Sequence, residues 1–170
     1  VTGERRVLVA GIGNIFFRDD AFGVEVVRRI DAGTLPDGVD VVDYGIRGVH
    51  LAYELLDGRY ATLVLVDAVP MDEPPGTLAV LDVSDALRGG APKTSDAFDA
   101  PAVDAHGMSP AAVLSLLRTF GATVDRVLVV GCQPAAVGAG MELSEPVQDA
   151  VERAVRLVAD VVDDVVAAHA

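Results

Sequence analysis

Gly11-Ile12-Gly13-Asn14-Ile15-Phe16-Phe17-Arg18-Asp19-Asp20-Ala21-Phe22-Gly23 lies between an apolar run, Val7-Leu8-Val9-Ala10, and a helical pattern, Val24-Glu25-Val26-Val27-Arg28-Arg29-Ile30. A strand, a glycine-marked turn and a helix in the first thirty residues open an α/β domain. In such sheets ligands bind beyond the carboxyl ends of the strands, and this stretch sits there. It is no dinucleotide loop, because Phe16 occupies the place of the third glycine in G-x-G-x-x-G. The adjacent carboxylates Asp19 and Asp20 would also repel a pyrophosphate. No Gly-Lys-Ser/Thr of a P-loop occurs in the chain. Acids at a helix start suit the macrodipole, so capping is the plain reading of the pair and metal binding the sharper one.

Outward from this stretch, short valine- and leucine-rich runs recur, as in parallel strands buried on both faces. Gly38 to Tyr44 reads as a second strand. Val49 to Leu56 reads as a short helix burying Leu51, Ala52, Leu55 and Leu56. Ala61 to Ala68 is the strongest strand signal, with Asp67 at its carboxyl end. After Pro70, Pro74, Pro75 and Gly76, Thr77 to Leu81 reads as a strand. It is antiparallel, since the connection before it is too short for a helical crossover. Asp82 to Asp104 is polar and punctuated by Gly89-Gly90, Pro92 and Pro101, and reads as a long loop, functional or mobile, at the sheet edge. Ser109 as N-cap and Pro110 at the first position start a helix with Leu114, Leu117 and Phe120 on its buried face, ending at Gly121. Arg126 to Gly131 is a further strand. Ser144 to about Ala168 is a long amphipathic helix with valines at 147, 151, 155, 158, 162 and 165. No repeat or linker interrupts the chain, so residues 1–170 are expected to form one domain.

The 170 residues are 51% hydrophobic, yet no run is long enough to cross a bilayer. Thirteen basic against 26 acidic residues give a net charge of −13, which argues against nucleic acid or anionic lipid as partner. The same charge permits metal ions and basic peptide segments. The single cysteine, Cys132, excludes an internal disulfide framework and a cysteine-rich metal site. No signal-peptide pattern precedes the first strand, so a cytoplasmic location is the expectation.

Asp20, Asp67 and His106 each follow or neighbour a strand's carboxyl end, and an ordinary α/β winding points all three at one crevice. Two carboxylates and an imidazole suit a divalent ion with open positions, nickel included. Each also has a structural alternative, Asp67 as a partner for loop amides and His106 as a polar loop residue. His50, in a helical pattern, and His169 are set aside. Cys132 ends a strand near the same rim, but no base is assigned to it and a lone buried thiol is usually structural. No G-x-S-x-G elbow supports serine hydrolysis.

The chain resembles the hydrogenase maturation proteases. The likeness rests on Gly11-Ile12-Gly13-Asn14 with Asp19-Asp20-Ala21-Phe22-Gly23, on Leu65-Val66-Asp67-Ala68, on His106 before a helix, and on Gly131-Cys132-Gln133-Pro134. The resemblance implies a three-layer α/β/α sandwich, phosphorylase/hydrolase-like, with a mostly parallel sheet. It implies an endopeptidase that removes a C-terminal extension from the nickel–iron hydrogenase large-subunit precursor after nickel insertion. It carries the family's metal-contacting residues onto Asp20, Asp67 and His106, as both catalytic and metal-binding groups. Relatives often have glutamate at the first position, one methylene longer than Asp20. The nickel ion is expected to arrive with the substrate, another divalent metal being able to replace it. The rival reading from another class is a nickel-sensing chaperone that binds the precursor without cutting it. A second rival is a peptidase or amidase acting on an unrelated substrate.

Overall fold

The computed structural model describes residues 4–88 and 108–170. Its centre is a five-stranded sheet built from β1 (Arg6–Ile12), β2 (Val39–Gly45), β3 (Tyr60–Ala68), β4 (Leu78–Asp82) and β5 (Arg126–Cys132). The strands lie in the order β2-β1-β3-β5-β4. All neighbours are parallel except β4, which runs against β5 with Leu78 opposite Cys132 and Asp82 opposite Leu128. The antiparallel strand expected from the short connection is therefore present, one residue further on than the sequence suggests.

Strand pleating sends alternate side chains to opposite layers. Val7, Val9, Val64, Val66, Leu128 and Val130 face one apolar layer, closed by α1 (Phe22–Arg29) and the long α5 (Glu145–His169). Leu8, Ala10, Leu63, Leu65, Val127 and Val129 face the other, covered by α2 (Gly48–Glu54) and α4 (Pro110–Phe120). Both faces of the central strands are thus buried, which accounts for their unbroken hydrophobic runs. The three-layer α/β/α sandwich is the observed architecture. In α5 the buried stripe includes Val147, Val151, Val158, Val162 and Val165, with Ala150 and Ala154 allowing close approach to the sheet, while Val155 is only partly buried.

The start of α4 is as expected. The Ser109 hydroxyl accepts from the Ala112 N–H at 3.2 Å, Pro110 takes the first position, and Gly121 ends the helix in the left-handed region at φ 71°. Three local expectations are corrected. Leu56 is exposed, because α2 passes into a 3-10 turn over Leu55–Asp57 and loses its helical phase there. Phe120 is also partly exposed, its ring stacked on Tyr53 of α2 with centroids 5.4 Å apart. The expected loop from Asp82 to Asp104 begins instead with a strand end and one helical turn, α3 (Ser84–Leu87). That turn is pinned because the Ser84 hydroxyl donates to Asp82 at 2.6 Å and accepts from the Val127 N–H at 2.9 Å. Residues 89–104 of that stretch lie outside the described residues.

The chain leaves β1 towards β2 on one side and returns to β3 on the other, so the sheet's topological switch point lies between β1 and β3. In open α/β sheets the ligand crevice lies at such a point, outside the strands' carboxyl ends. Both Asp20 and Asp67 are at this point.

Candidate active site

The first structural question is how a loop after β1 comes to lie against the end of β3. Glycine answers it. A Cβ on Gly23 would sit 1.9 Å from the Val66 carbonyl oxygen and 2.6 Å from that of Ile12, so only glycine lets α1 begin on top of the two strand ends. Gly13 is more restrictive still. Its φ is +129°, and a Cβ there would lie 1.8 Å from the Asp20 carbonyl oxygen and 3.4 Å from Asp67 Oδ1. The hydrogen at this position is what leaves room for the two aspartates beside each other. Gly13→Ala is expected to cost about 2–4 kcal/mol of stability and to displace Asp20, read by urea denaturation and by loss of proteolysis.

Asp20 lies in a 3-10 turn, Arg18–Ala21, that precedes α1. Its Oδ2 accepts from the Asn14 N–H at 2.8 Å, so the carboxylate is held over the glycine turn. Asp67 is buried at the end of β3, in the pleat register of Leu63 and Leu65, and its Oδ1 accepts from the Ala68 N–H at 2.8 Å. Burial first, and then the charge of Asp20, raise the Asp67 carboxyl well above the ordinary carboxylate range. Burial and the neighbouring charge both disfavour the ionised form of Asp67 in the crevice.

Capping is not the role of either acid. The cap position of α1 is Ala21, with no side-chain hydrogen bond. Asp19 instead turns away from the crevice and is buried, a role that its sequence neighbourhood conceals. The Ala135 and Ala136 N–H groups donate to its Oδ2, each at 2.8 Å. The Ser144 N–H donates to Oδ1 at 2.7 Å and the Ser144 hydroxyl to Oδ2 at 2.8 Å. Burial alone would push this carboxyl up, but the four donors outweigh it and hold it below the usual value. The adjacent acids thus have separate tasks: Asp19 clasps the turn to the loop between β5 and α5, and Asp20 faces the crevice.

Gln133 is a second residue whose job was not evident. Its Oε1 accepts from the Met71 N–H at 2.5 Å, and its backbone exchanges bonds with Gly76 and Thr77, each at 2.9 Å. These contacts fix the loop that follows Asp67. The Gly-Cys-Gln-Pro run was its only signal, with no chemistry attached to it.

His106 lies outside the described residues. Met108, just after it, packs over Gly48 at the start of α2, on the same rim of the sheet as the aspartates. The other histidines are elsewhere. His50 is exposed on α2, and His169 contacts the Arg5 carbonyl oxygen at 3.0 Å and the Thr62 hydroxyl at 3.3 Å, at the opposite end of the sheet. Cys132 is buried, and burial, with Asp19 nearby, pushes its thiol up to about 11. Such a thiol is not a nucleophile near neutrality. A depression of ≈ 570 Å³ also lies at that opposite end, but the arginines along it are engaged by Asp125, Asp82 and Asp85. Among the described residues no cluster of three metal-ligating side chains occurs, and no helix is long and apolar enough to cross a membrane.

A doubly covered, mostly parallel sheet with paired carboxylates at its switch point defines an α/β domain whose ligand position carries two acids. Comparison with known proteins narrows it. The family model for hydrogenase maturation protease, HycI, matches residues 24–161. A putative hydrogenase maturation protease of Methanocaldococcus jannaschii is 32% identical over 164 residues, covering 91% of this chain and 95% of its own. The hydrogenase 2 maturation protease of Escherichia coli is 29% identical over 155 residues, covering 90% and 88%. Among solved structures, the hydrogenase maturating endopeptidase HybD of E. coli superposes with a TM-score of 0.73 at 27% identity, over 94% of this chain and 93% of its own. A [NiFe] hydrogenase maturation protease, HycI, from Thermococcus kodakarensis gives 0.68 at 27% identity, over 95% of both chains. The chain belongs to the hydrogenase maturation protease family. It is a peptidase.

Proposed function

We infer that this peptidase removes the C-terminal extension of a nickel–iron hydrogenase large-subunit precursor after nickel insertion, recognising the nickel that the substrate carries. The observation behind this reading is the placement of Asp67, buried against Asp20 at the switch point. Two acids held together this way are poorly satisfied by each other and well satisfied by a divalent ion, for which carboxylate oxygen and imidazole nitrogen are suitable donors. Asp20 and Asp67 supply the oxygens. His106, carried over from the family resemblance, supplies the nitrogen.

Peptide hydrolysis adds a water oxygen to the scissile carbonyl carbon and breaks the carbon–nitrogen bond. One water proton finishes on the new amine. Among the described residues the one cysteine is buried with its thiol pushed up to about 11, so the reading gives the attack to a water activated by carboxylate or ion. Asp20, Asp67 and His106 would hold the nickel that the substrate carries, and the ion would supply Lewis-acid polarisation of the scissile carbonyl. The same grip makes the ion a checkpoint, because a precursor without nickel gives the acids nothing to hold.

Incubation with nickel-loaded and nickel-free precursor tests this, tail loss being read by mass spectrometry. Cleavage of the loaded form alone is expected, and equal cleavage of both ends the checkpoint. Replacing Asp20, Asp67 or His106 with alanine is expected to abolish processing with the fold retained.

A further inference from the structure

Beside the Asp20 turn lies a depression of ≈ 430 Å³ that the hydrolytic chemistry leaves unused. Ile15, Ala21, Met141 and Leu143 give it an apolar lining, and Glu25 and Glu142 stand at its edges. It adjoins the Asp20 turn, since Ala21 of its lining directly follows Asp20 and Ile15 directly follows Asn14, whose N–H binds the Asp20 carboxylate. Met141 is 70% exposed, more than any other large apolar side chain among the described residues.

Two features mark this cleft as a seat. The first is rigidity. The Gly140 N–H donates to the Phe16 carbonyl at 2.9 Å, and the Arg18 N–H donates to the Gly140 carbonyl at 2.9 Å. Arg18 itself is held at a φ of 52°. The backbone thus maintains an exposed apolar surface in fixed form, which lowers the ordering cost of whatever lands on it. The second is charge. The arginine at the edge, Arg28, is already engaged by Asp43 at 3.1 Å, whereas Glu25 and Glu142 have no ion-pair partner among the described residues. An apolar floor with two uncompensated carboxylates complements a polypeptide segment carrying an apolar side chain next to a lysine or arginine.

Resting on the function inferred above, we propose that this cleft binds the precursor's chain beside the bond to be cut. An apolar side chain of the precursor lies against Ile15 and Met141, and a basic one sits between Glu25 and Glu142. The cleft supplies affinity and register, whereas Asp20 and Asp67 supply the chemistry.

The test uses the full chain and the nickel-loaded large-subunit precursor encoded in the same genome, with KM and kcat measured separately. The double variant Glu25→Lys/Glu142→Lys is expected to raise KM at least tenfold while kcat stays within twofold, and Met141→Ser to raise KM about threefold. Asp163→Lys/Asp164→Lys, on an exposed turn of α5, makes the same change in net charge away from the cleft. Unchanged KM in the Glu25/Glu142 variant, or an equal rise in the α5 variant, overturns the proposal while leaving the processing function standing. A wild-type chain that neither binds nor cuts the loaded precursor overturns both. Melting temperatures within a few degrees of wild type assign the KM changes to binding.

Discussion

Asp67→Asn is expected to stop processing while making the protein more resistant to heat. The side chain is buried at the end of β3 with Asp20 beside it, and both facts disfavour its charged form. Asparagine keeps the shape and can still accept from the Ala68 N–H, so the native contact of 2.8 Å survives. It cannot bring a negative charge to an ion or take a proton from water. Activity should fall by roughly 10²–10³-fold or more, the usual cost of removing one electrostatic participant from a hydrolytic site. Stability moves the other way. The native carboxyl is raised above its unfolded value of about 3.8, so the folded state retains a proton that the unfolded chain gives up. Stability contributed here is therefore greatest below that value and declines as pH climbs towards the native pKa. The melting curves of wild type and variant should nearly coincide near pH 4 and separate in the variant's favour towards pH 7. Each kcal/mol of relief raises the midpoint by about 2–4 °C. A variant less stable than wild type at pH 7 would show that the acid is not under the strain argued for it.

Asp19→Ala should have the largest effect on stability. It removes one carboxylate and leaves the Ala135, Ala136 and Ser144 N–H groups and the Ser144 hydroxyl without their acceptor. A buried donor deprived of its partner costs about 1–3 kcal/mol, and with partial relaxation the loss should reach about 3–5 kcal/mol. That corresponds to a fall of roughly 6–20 °C in the melting midpoint, measured by calorimetry or circular dichroism. The pH dependence is opposite to that of Asp67. The native carboxyl is held below its unfolded value, so its stabilisation is complete above about pH 4 and is lost as pH falls through the native pKa. The gap between wild type and variant should be constant from pH 5 to 8 and close on acidification. Adjacent aspartates with opposite pH signatures would be direct evidence for two separate tasks.

Much of the framework was legible because the signals are local. The unbroken run Leu63-Val64-Leu65-Val66 can only be a strand covered on both faces, and Ser109-Pro110 with Gly121 brackets a helix by capping chemistry alone. The short Pro-rich connection before β4 announced its reversed direction. What escaped were consequences of tertiary contact. Phe120 fits the helical stripe yet ends on the surface, because its partner is Tyr53 from another helix. Asp19 is next to Asp20 and chemically identical, and nothing in the order of residues says that one meets donors more than a hundred positions away. For the carboxylate pair capping is the plain reading beside metal binding, because acids favour helix starts, yet the actual helix start carries no side-chain cap at all. The glycines were read as turn markers, whereas at Gly13 and Gly23 the decisive matter is which carbonyl oxygen stands where a methyl group would be.

The clasp at Asp19 also sets an order of events during synthesis. Its donors belong to residues 135, 136 and 144, and those emerge from the ribosome long after the turn that they hold. A growing chain that has completed β1, α1 and β3 still has an untethered Asp19-Asp20 turn. The turn gains its tether only when the beginning of α5 arrives, so the two halves of the fold are completed together.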